Sequence, residues 1–321
     1  MGCATSGYQH TRHLVAGNQA AKSGNYVDAA AEYEKALAEV PESLPGRRNL
    51  GIVLVKVADY ERAFELLNSV AKDYANDPET LYFLGEASRG LRRFSEAANY
   101  YQAGLRIGPN DMRLTKALGW TWHKMGQSRW TINLIEPYLN LHQGDRQLRL
   151  ILASAYNDTG KYDQSIALLE KALDRSGEST KNSNSADVPA EFMLIKTALG
   201  AGYAGKGDCT RAQAQFVQVL RVRPFLDGAL VGSAKCHLAA KRGTVAVPLL
   251  ERAIKSNPDS PEAHFLLARA LEETDRDRSV VYFNRFLQLT KDSAKANRKE
   301  RAIARKFVSR AQSESARVRA P

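Results

Sequence analysis

The dipeptide Leu-Gly returns at a fixed interval, at Leu50-Gly51, Leu84-Gly85 and Leu118-Gly119, each pair 34 residues from the next. A strict period of 34 marks an array of helix–turn–helix units, each of which has an apolar face it can bury only against its neighbours. Stepping back by the same interval reaches Gly17, followed by Gly24-Asn25-Tyr26, Ala29, Tyr33, Ala36 and Pro41. Stepping forward reaches Ala153, with Tyr156, Gly160-Lys161-Tyr162, Leu169 and Ala172 after it. The pattern resumes at Leu199-Gly200, Tyr203, Gly207-Asp208, Ala212, Phe216 and Pro224, then at Ala246, Leu250, Ala253 and Pro258, and last at Leu267, Ala268, Leu271 and Phe283.

Each recurring residue type has a physical reason. Gly51, Gly85 and Ala63 let paired helices approach closely, and Tyr101, Leu169 and Phe216 fill the space to the next unit. Gly24, Gly126, Gly160 and Gly207 stand where the first helix ends in a left-handed cap. Pro41, Pro109, Pro224 and Pro258 stop the second helix. Pro137 and Pro248 fall inside second helices, where kinks are expected.

These residues resemble the tetratricopeptide repeat over about residues 10–290, although the early Trp of that pattern is absent and His13, Leu81, Thr115 and Leu230 stand in its place. The resemblance implies an all-α, right-handed α-solenoid of about eight helix-turn-helix repeats with a C-terminal capping helix. The expected organisation is a tether at 1–9, repeats one to five at 10–175, a polar loop insertion at 176–189, repeats six to eight at 190–290, and a basic capping helix and tail at 291–321. The insertion reads Ser-Gly-Glu-Ser-Thr-Lys-Asn-Ser-Asn-Ser-Ala-Asp-Val-Pro, too polar to pack a core.

Charge is uneven. The net charge is +11, and residues 291–319 contribute ten Lys or Arg against three acids. In the basic C-terminal helix, Ile303 and Phe307, with Ala296 and Ala311, form a weak apolar stripe. That helix suits a solvated cap, an acidic partner or an anionic surface. Nucleic acid is disfavoured, because only Phe307 is interleaved for base stacking. No apolar run reaches the roughly 18 residues of a membrane span.

Apparent catalytic motifs dissolve under the repeat reading. Gly200-Ala201-Gly202-Tyr203-Ala204-Gly205-Lys206-Gly207 imitates a phosphate loop, but it lies inside a repeat helix and Gly207 stands where Ser or Thr must hold magnesium. The six His are dispersed, with His123 and His237 on helices. The chain is therefore expected to be no enzyme, to take no cofactor, metal or nucleotide, and to bind a protein or peptide.

The resemblance implies which first-helix residues line the inner face. They are Asn18 and Lys22; Arg48, Asn49, Ile52 and Lys56; Tyr82, Phe83, Glu86 and Arg89; and Arg113, Lys116, Trp120, His123 and Lys124. Later repeats offer small groups, among them Ala198, Ala201, Ala204 and Gly232. Asn18 and Asn49 suit an extended main chain, since an amide donates and accepts. Tyr82, Phe83 and Trp120 suit apolar anchors. A carboxylate clamp known in the family is matched only at Asn18 and Asn49, with Leu14, Glu79 and Phe83 in its cationic places.

Met1-Gly2-Cys3 resembles the start of a mature bacterial lipoprotein, with Cys3 lipidated. It also matches a myristoylation signal. Together with the repeats it is similar to envelope lipoproteins of pilus or secretion assembly, including the Flp/Tad type. That implies an outer-membrane anchor facing the periplasm; the alternative is a cytoplasmic adaptor. Cys209 and Cys236 are read as two buried free thiols, or as a disulfide if the protein is exported.

Overall fold

The computed structural model describes residues 2–174, 189–291 and 298–319, and among them every regular element is a helix. The chain runs α1 (Gly2–Lys22), α2 (Tyr26–Glu39), α3 (Leu44–Lys56), α4 (Tyr60–Ser69), α5 (Pro78–Gly90), α6 (Phe94–Ile107), α7 (Met112–Lys124) and α8 (Ser128–Leu141). It continues with α9 (Arg146–Asp158), α10 (Tyr162–Asp174), α11 (Ala190–Gly205), α12 (Cys209–Val222), α13 (Asp227–Ala239), α14 (Gly243–Ser256), α15 (Pro261–Leu271), α16 (Arg276–Leu289) and α17 (Arg298–Arg319). Helices α1 to α8 and α11 to α16 pack pairwise in sequence as hairpins, Ser165 of α10 bonds across to α9, and α17 packs on α16 as the expected terminal cap.

The period has a steric origin. In five hairpins a glycine on the first helix faces a large residue sixteen positions later: Gly17 and Tyr33, Gly51 and Leu67, Gly85 and Tyr101, Gly119 and Ile135, Gly200 and Phe216. A Cβ at any of these glycines would fall within 3.0 Å of the facing side chain. A second small position lies on the second helix, at Ala29, Ala63, Ala97, Thr131, Ser165, Ala212 and Ala246, all fully buried. Where it carries a hydroxyl, the hydroxyl donates across the hairpin: Thr131 Oγ1 to the Gly119 carbonyl and Ser165 Oγ to the Ala153 carbonyl, both at 3.0 Å. A buried polar group is thereby satisfied where helices approach closely.

The turn between paired helices needs one left-handed residue. Gly24, Gly126, Gly160 and Gly207 supply it, with φ of 78°, 72°, 76° and 88°. In three hairpins without that glycine, Ala58, Arg92 and Lys241 take the same conformation at φ 64°, 60° and 58°. A side chain there costs about 1–2 kcal/mol. The triple replacement Ala58→Gly, Arg92→Gly, Lys241→Gly is therefore expected to raise the thermal midpoint, by about 1 kcal/mol per site less the added entropy of the unfolded chain. An unchanged or lowered midpoint in a calorimetric scan would refute this.

The first helices begin on a side-chain cap at matching places. Ser43, Asp77, Asp111 and Asp145 accept from Gly46 N, Thr80 N, Leu114 N and Leu148 N at 3.2, 3.1, 3.3 and 3.0 Å. Burial alone would raise the three aspartates. Bonds from Thr80 and Arg48 to Asp77, from Arg113 to Asp111, and from Lys116 to Asp145 outweigh it and hold all three below the ordinary carboxylate range. A carboxylate depressed in the folded state contributes stability above its unfolded value, near pH 4, and loses it as pH falls through the folded value. Thermal midpoints should therefore drop below about pH 4. The Asp77→Asn, Asp111→Asn, Asp145→Asn triple variant should show a flatter profile, and an equally steep one would remove these residues from the account.

The chain divides into two compact units, 1–151 and 152–321. The division lies inside α9, not at the expected insertion, which apart from Pro189 falls outside the described residues. The reason is that α10 and α11, on either side of the insertion, pack directly on one another. Pro137 and Pro248 lie inside α8 and α14, the second helices in which they were expected. Two further expectations change. Residues 2–9 belong to α1 and do not form a separate tether. On α17 the buried positions are Ala304 and Val308, with Phe307 partly covered against Phe283, while Ile303 stays 40% exposed. No helix among the described residues is long and apolar enough to cross a membrane.

Candidate partner-binding face

In the first unit α3 touches α1, α5 touches α3 and α7 touches α5, while α2, α4 and α6 pack on their sequence neighbours. The first helices are thus the closer-set layer and line the inner side of this unit. The residues expected there are on it, but their roles differ.

Four of the expected cations are already paired with carboxylates. Arg48 reaches from α3 to the cap of α5, with Nη2 2.6 Å from Asp77 Oδ2 and 2.7 Å from Glu79 Oε2, and Nε 2.8 Å from Thr80 Oγ1. Its guanidinium also lies 5.2 Å over the Tyr74 ring. Lys116 pairs with Asp145 at 2.6 Å and Arg113 with Asp111 at 3.0 Å. Arg89 holds Glu86 through two bonds, and Tyr101 Oη donates to the same carboxylate at 2.6 Å. The Glu86 bonds, set against burial, push the Arg89 pKa far above its ordinary value. Arg48 and Lys116 join one hairpin to the next, whereas Arg113 and Arg89 pair with carboxylates of their own hairpin, so all four already hold a carboxylate.

Phe83 is corrected outright. It is 5% exposed and belongs to the core with Leu84 and Ala87, so it anchors nothing. Neighbouring residues on a helix point about 100° apart, and it is Tyr82 that keeps an open side, with the Arg113 guanidinium 5.4 Å over its ring.

The two asparagines are also narrower than expected. Asn18 Oδ1 accepts from Tyr33 Oη at 2.7 Å and from Asn49 Nδ2 at 3.0 Å. Asn49 Oδ1 accepts from Arg48 Nη1 at 3.3 Å. With both carbonyls engaged inside the unit, exposed Asn18 presents its amide N–H groups outward. It offers donors, suited to a main-chain carbonyl.

The open part of the face is at the far ends of the first helices. Trp120, half-buried, has the Arg89 guanidinium 5.4 Å and the Lys124 ammonium 5.2 Å from its ring centre, and Phe94 6.4 Å away. Lys56 stands 5.2 Å over Phe83, and His123 is half-buried beside Lys124. The partners missed by reasoning from sequence are Asp77 and Asp145. Their place before a first helix, 34 residues either side of Asp111, is a legible capping signal; their second role toward Arg48 and Lys116 is not.

In the second unit the small inner-face residues divide. Ala198 and Gly232 are buried, and Gly232, like Gly200, faces the Phe216 ring; Ala201 is exposed. Gln213 and Ser233 bond reciprocally, Nε2 to the Ser233 carbonyl and Ser233 Oγ to Oε1, both at 2.9 Å. Cys209 and Cys236 are joined in a disulfide, not held as two free thiols, with Cα atoms 5.4 Å apart. The Gly200–Gly207 stretch lies on α11 and its cap, as the repeat reading requires.

Models of the tetratricopeptide repeat match residues 20–87, 147–178 and 237–277. A tetratricopeptide repeat protein 21 homolog of Caenorhabditis briggsae is 22% identical over 169 residues, which are 50% of this chain and only 13% of that protein. A tetratricopeptide repeat protein from Parabacteroides merdae has a similar fold, with a TM-score of 0.66 at 15% identity, over 82% of this chain and 99% of that one. The Cut9–Hcn1 hetero-tetramer of the APC/C gives 0.60 at 14% identity, over 93% and 55% of the two chains. Repeats of this type generally act in protein–protein interaction. The chain carries tetratricopeptide repeats and is an all-α protein of the solenoid class built from them.

Proposed function

We propose that this chain is a non-enzymatic scaffold that holds an extended segment of a protein partner along the inner face of its first unit. One observation carries the reading. Trp120 is kept half-open between Arg89 and Lys124, at the free end of a strip whose other charges already strap the hairpins together. An aromatic group in that position is ready-made for an apolar anchor, and truncating such an anchor typically costs about 2 kcal/mol or more of binding. Tyr82 and the outward amide of Asn18 continue the surface toward α1.

The test is affinity capture with the native chain and a Trp120→Ala/Tyr82→Ala variant. Partners should be lost from the variant by about thirtyfold or more, with the helical circular dichroism unchanged. Undiminished capture of every partner would sink the reading.

The Cys209–Cys236 bond favours a finer reading. Disulfides persist in oxidising compartments, which supports export and, with it, a bacterial envelope protein anchored through Cys3 and facing the periplasm. A task in pilus or secretion assembly is the corresponding role. Intact mass of protein taken from its own cells should show an acylated Cys3 and no free thiol at Cys209 or Cys236. Two free thiols and no acyl group would favour the cytoplasmic adaptor.

A further inference from the structure

Three cations of the first unit that have no carboxylate partner among the described residues share one rim. Lys22, Lys56 and Lys124 occupy the last positions of α1, α3 and α7, with Gly90 in the matching place on α5. All three lysines are exposed, and no ion pair joins them to a carboxylate among the described residues. The carboxylates along the same face are engaged elsewhere: Glu86 by Arg89, Asp77 and Glu79 by Arg48, Asp111 by Arg113, and Asp145 by Lys116. The rim is therefore a row of three positive charges with one gap, and in that gap stand Trp120 and the Arg89 side chain.

The spacing of the row selects a ligand conformation. Helices in contact lie about 8–10 Å apart, so Lys22 to Lys56 is one such step and Lys56 to Lys124 is two. A polyproline II chain rises about 3.1 Å per residue with three residues per turn, hence about 9 Å per turn. Its side chains at every third residue share one face and keep step with the hairpins. A β-strand, with period two, turns its third residue to the opposite face. Polyproline II also leaves its carbonyls without internal bonds, free to accept from the amide N–H groups of Asn18.

We propose that the occupant of this face is an acidic, proline-rich segment in polyproline II conformation. Carboxylates at positions i, i+3 and i+9 pair with Lys22, Lys56 and Lys124, and the uncharged turn between the last two lies against Trp120. This deepens the scaffold reading above and rests on it.

The test uses the full chain and two fluorescein-labelled peptides of one composition, read by fluorescence anisotropy: four triplets, Glu-Pro-Pro at the first, second and fourth with Pro-Pro-Pro at the third, and a block of three Glu followed by nine Pro. The triplet peptide should bind the more tightly, and its affinity should fall with added salt. Lys56→Glu/Lys124→Glu should weaken it by at least about tenfold while the helical circular dichroism at the assay temperature is unchanged. Equal binding of the two peptides, or no effect of the charge reversal, overturns the proposal. Should neither peptide bind while Trp120-dependent capture of a partner persists, the ligand chemistry is wrong and the face stands. Should capture also be indifferent to Trp120→Ala/Tyr82→Ala, the scaffold reading itself has failed.

Discussion

Tyr101→Ala is expected to destabilise the first unit by about 3–5 kcal/mol. Tyr101 is fully buried, and its ring lies directly beneath Gly85, close enough that not even a methyl group fits there. Removing the ring leaves a cavity between α5 and α6 that the surrounding helices can close only in part. It also deprives Glu86, a mostly buried carboxylate, of the hydroxyl that donates to it. Tyr101→Phe separates the two effects. It keeps the ring, drops one bond to a charged acceptor and should cost about 1–3 kcal/mol. Because a repeat array holds together through nearest-neighbour contacts, the loss should appear in urea as earlier unfolding of the first unit, read from its Trp120, Trp122 and Trp130 fluorescence. A midpoint for Tyr101→Ala within error of the native chain would show that the small-to-large pairing does not hold the hairpin.

Reduction of the Cys209–Cys236 disulfide, or the Cys209→Ala/Cys236→Ala double variant, should lower the stability of the second unit by about 3 kcal/mol. The bond spans 27 residues and links the first turn of α12 to the last turns of α13. Closing a loop of that length removes conformational freedom chiefly from the unfolded chain, and about 3 kcal/mol is the scale for loops somewhat longer than fifteen residues. The Cα separation is within the ordinary disulfide range. The effect should be confined to the second unit, leaving the Trp fluorescence transition of the first in place. A melt insensitive to reductant would mean that packing around Phe216 already supplies all the order the bond imposes.

Both predictions draw on features with different histories in the sequence. Gly85 and Tyr101 were legible as repeat positions, Tyr101 as a filler toward the next unit, and only the structure seats its ring against Gly85 of its own hairpin; the left-handed turns at Gly24, Gly126, Gly160 and Gly207 follow from the period. One residue type per unit answers one steric demand of the hairpin, and repetition multiplies the signal. The face was legible only as a set of positions. Tyr82 and Phe83 are adjacent letters, yet one is half-buried and the other is core. Arg48 and Lys116 read as ligand anchors, whereas their partners Asp77 and Asp145 come from the start of the following hairpin. The residues that vary between repeats carry no periodic signal, and a side chain's reach to the next hairpin is not written in its own unit.

The letters by themselves determined the all-α class, the repeat of about eight helical hairpins, the turn conformations at Gly24, Gly126, Gly160 and Gly207 and the terminal cap, because each follows from local sterics repeated along the chain. Tertiary structure alone decided three things: which cations strap the hairpins and which stay open, that Cys209 and Cys236 meet, and that the compact units part within α9 and not at the polar insertion. Each depends on where the side chains of neighbouring hairpins end in space, a distance of a few ångströms that a period of 34 residues does not encode.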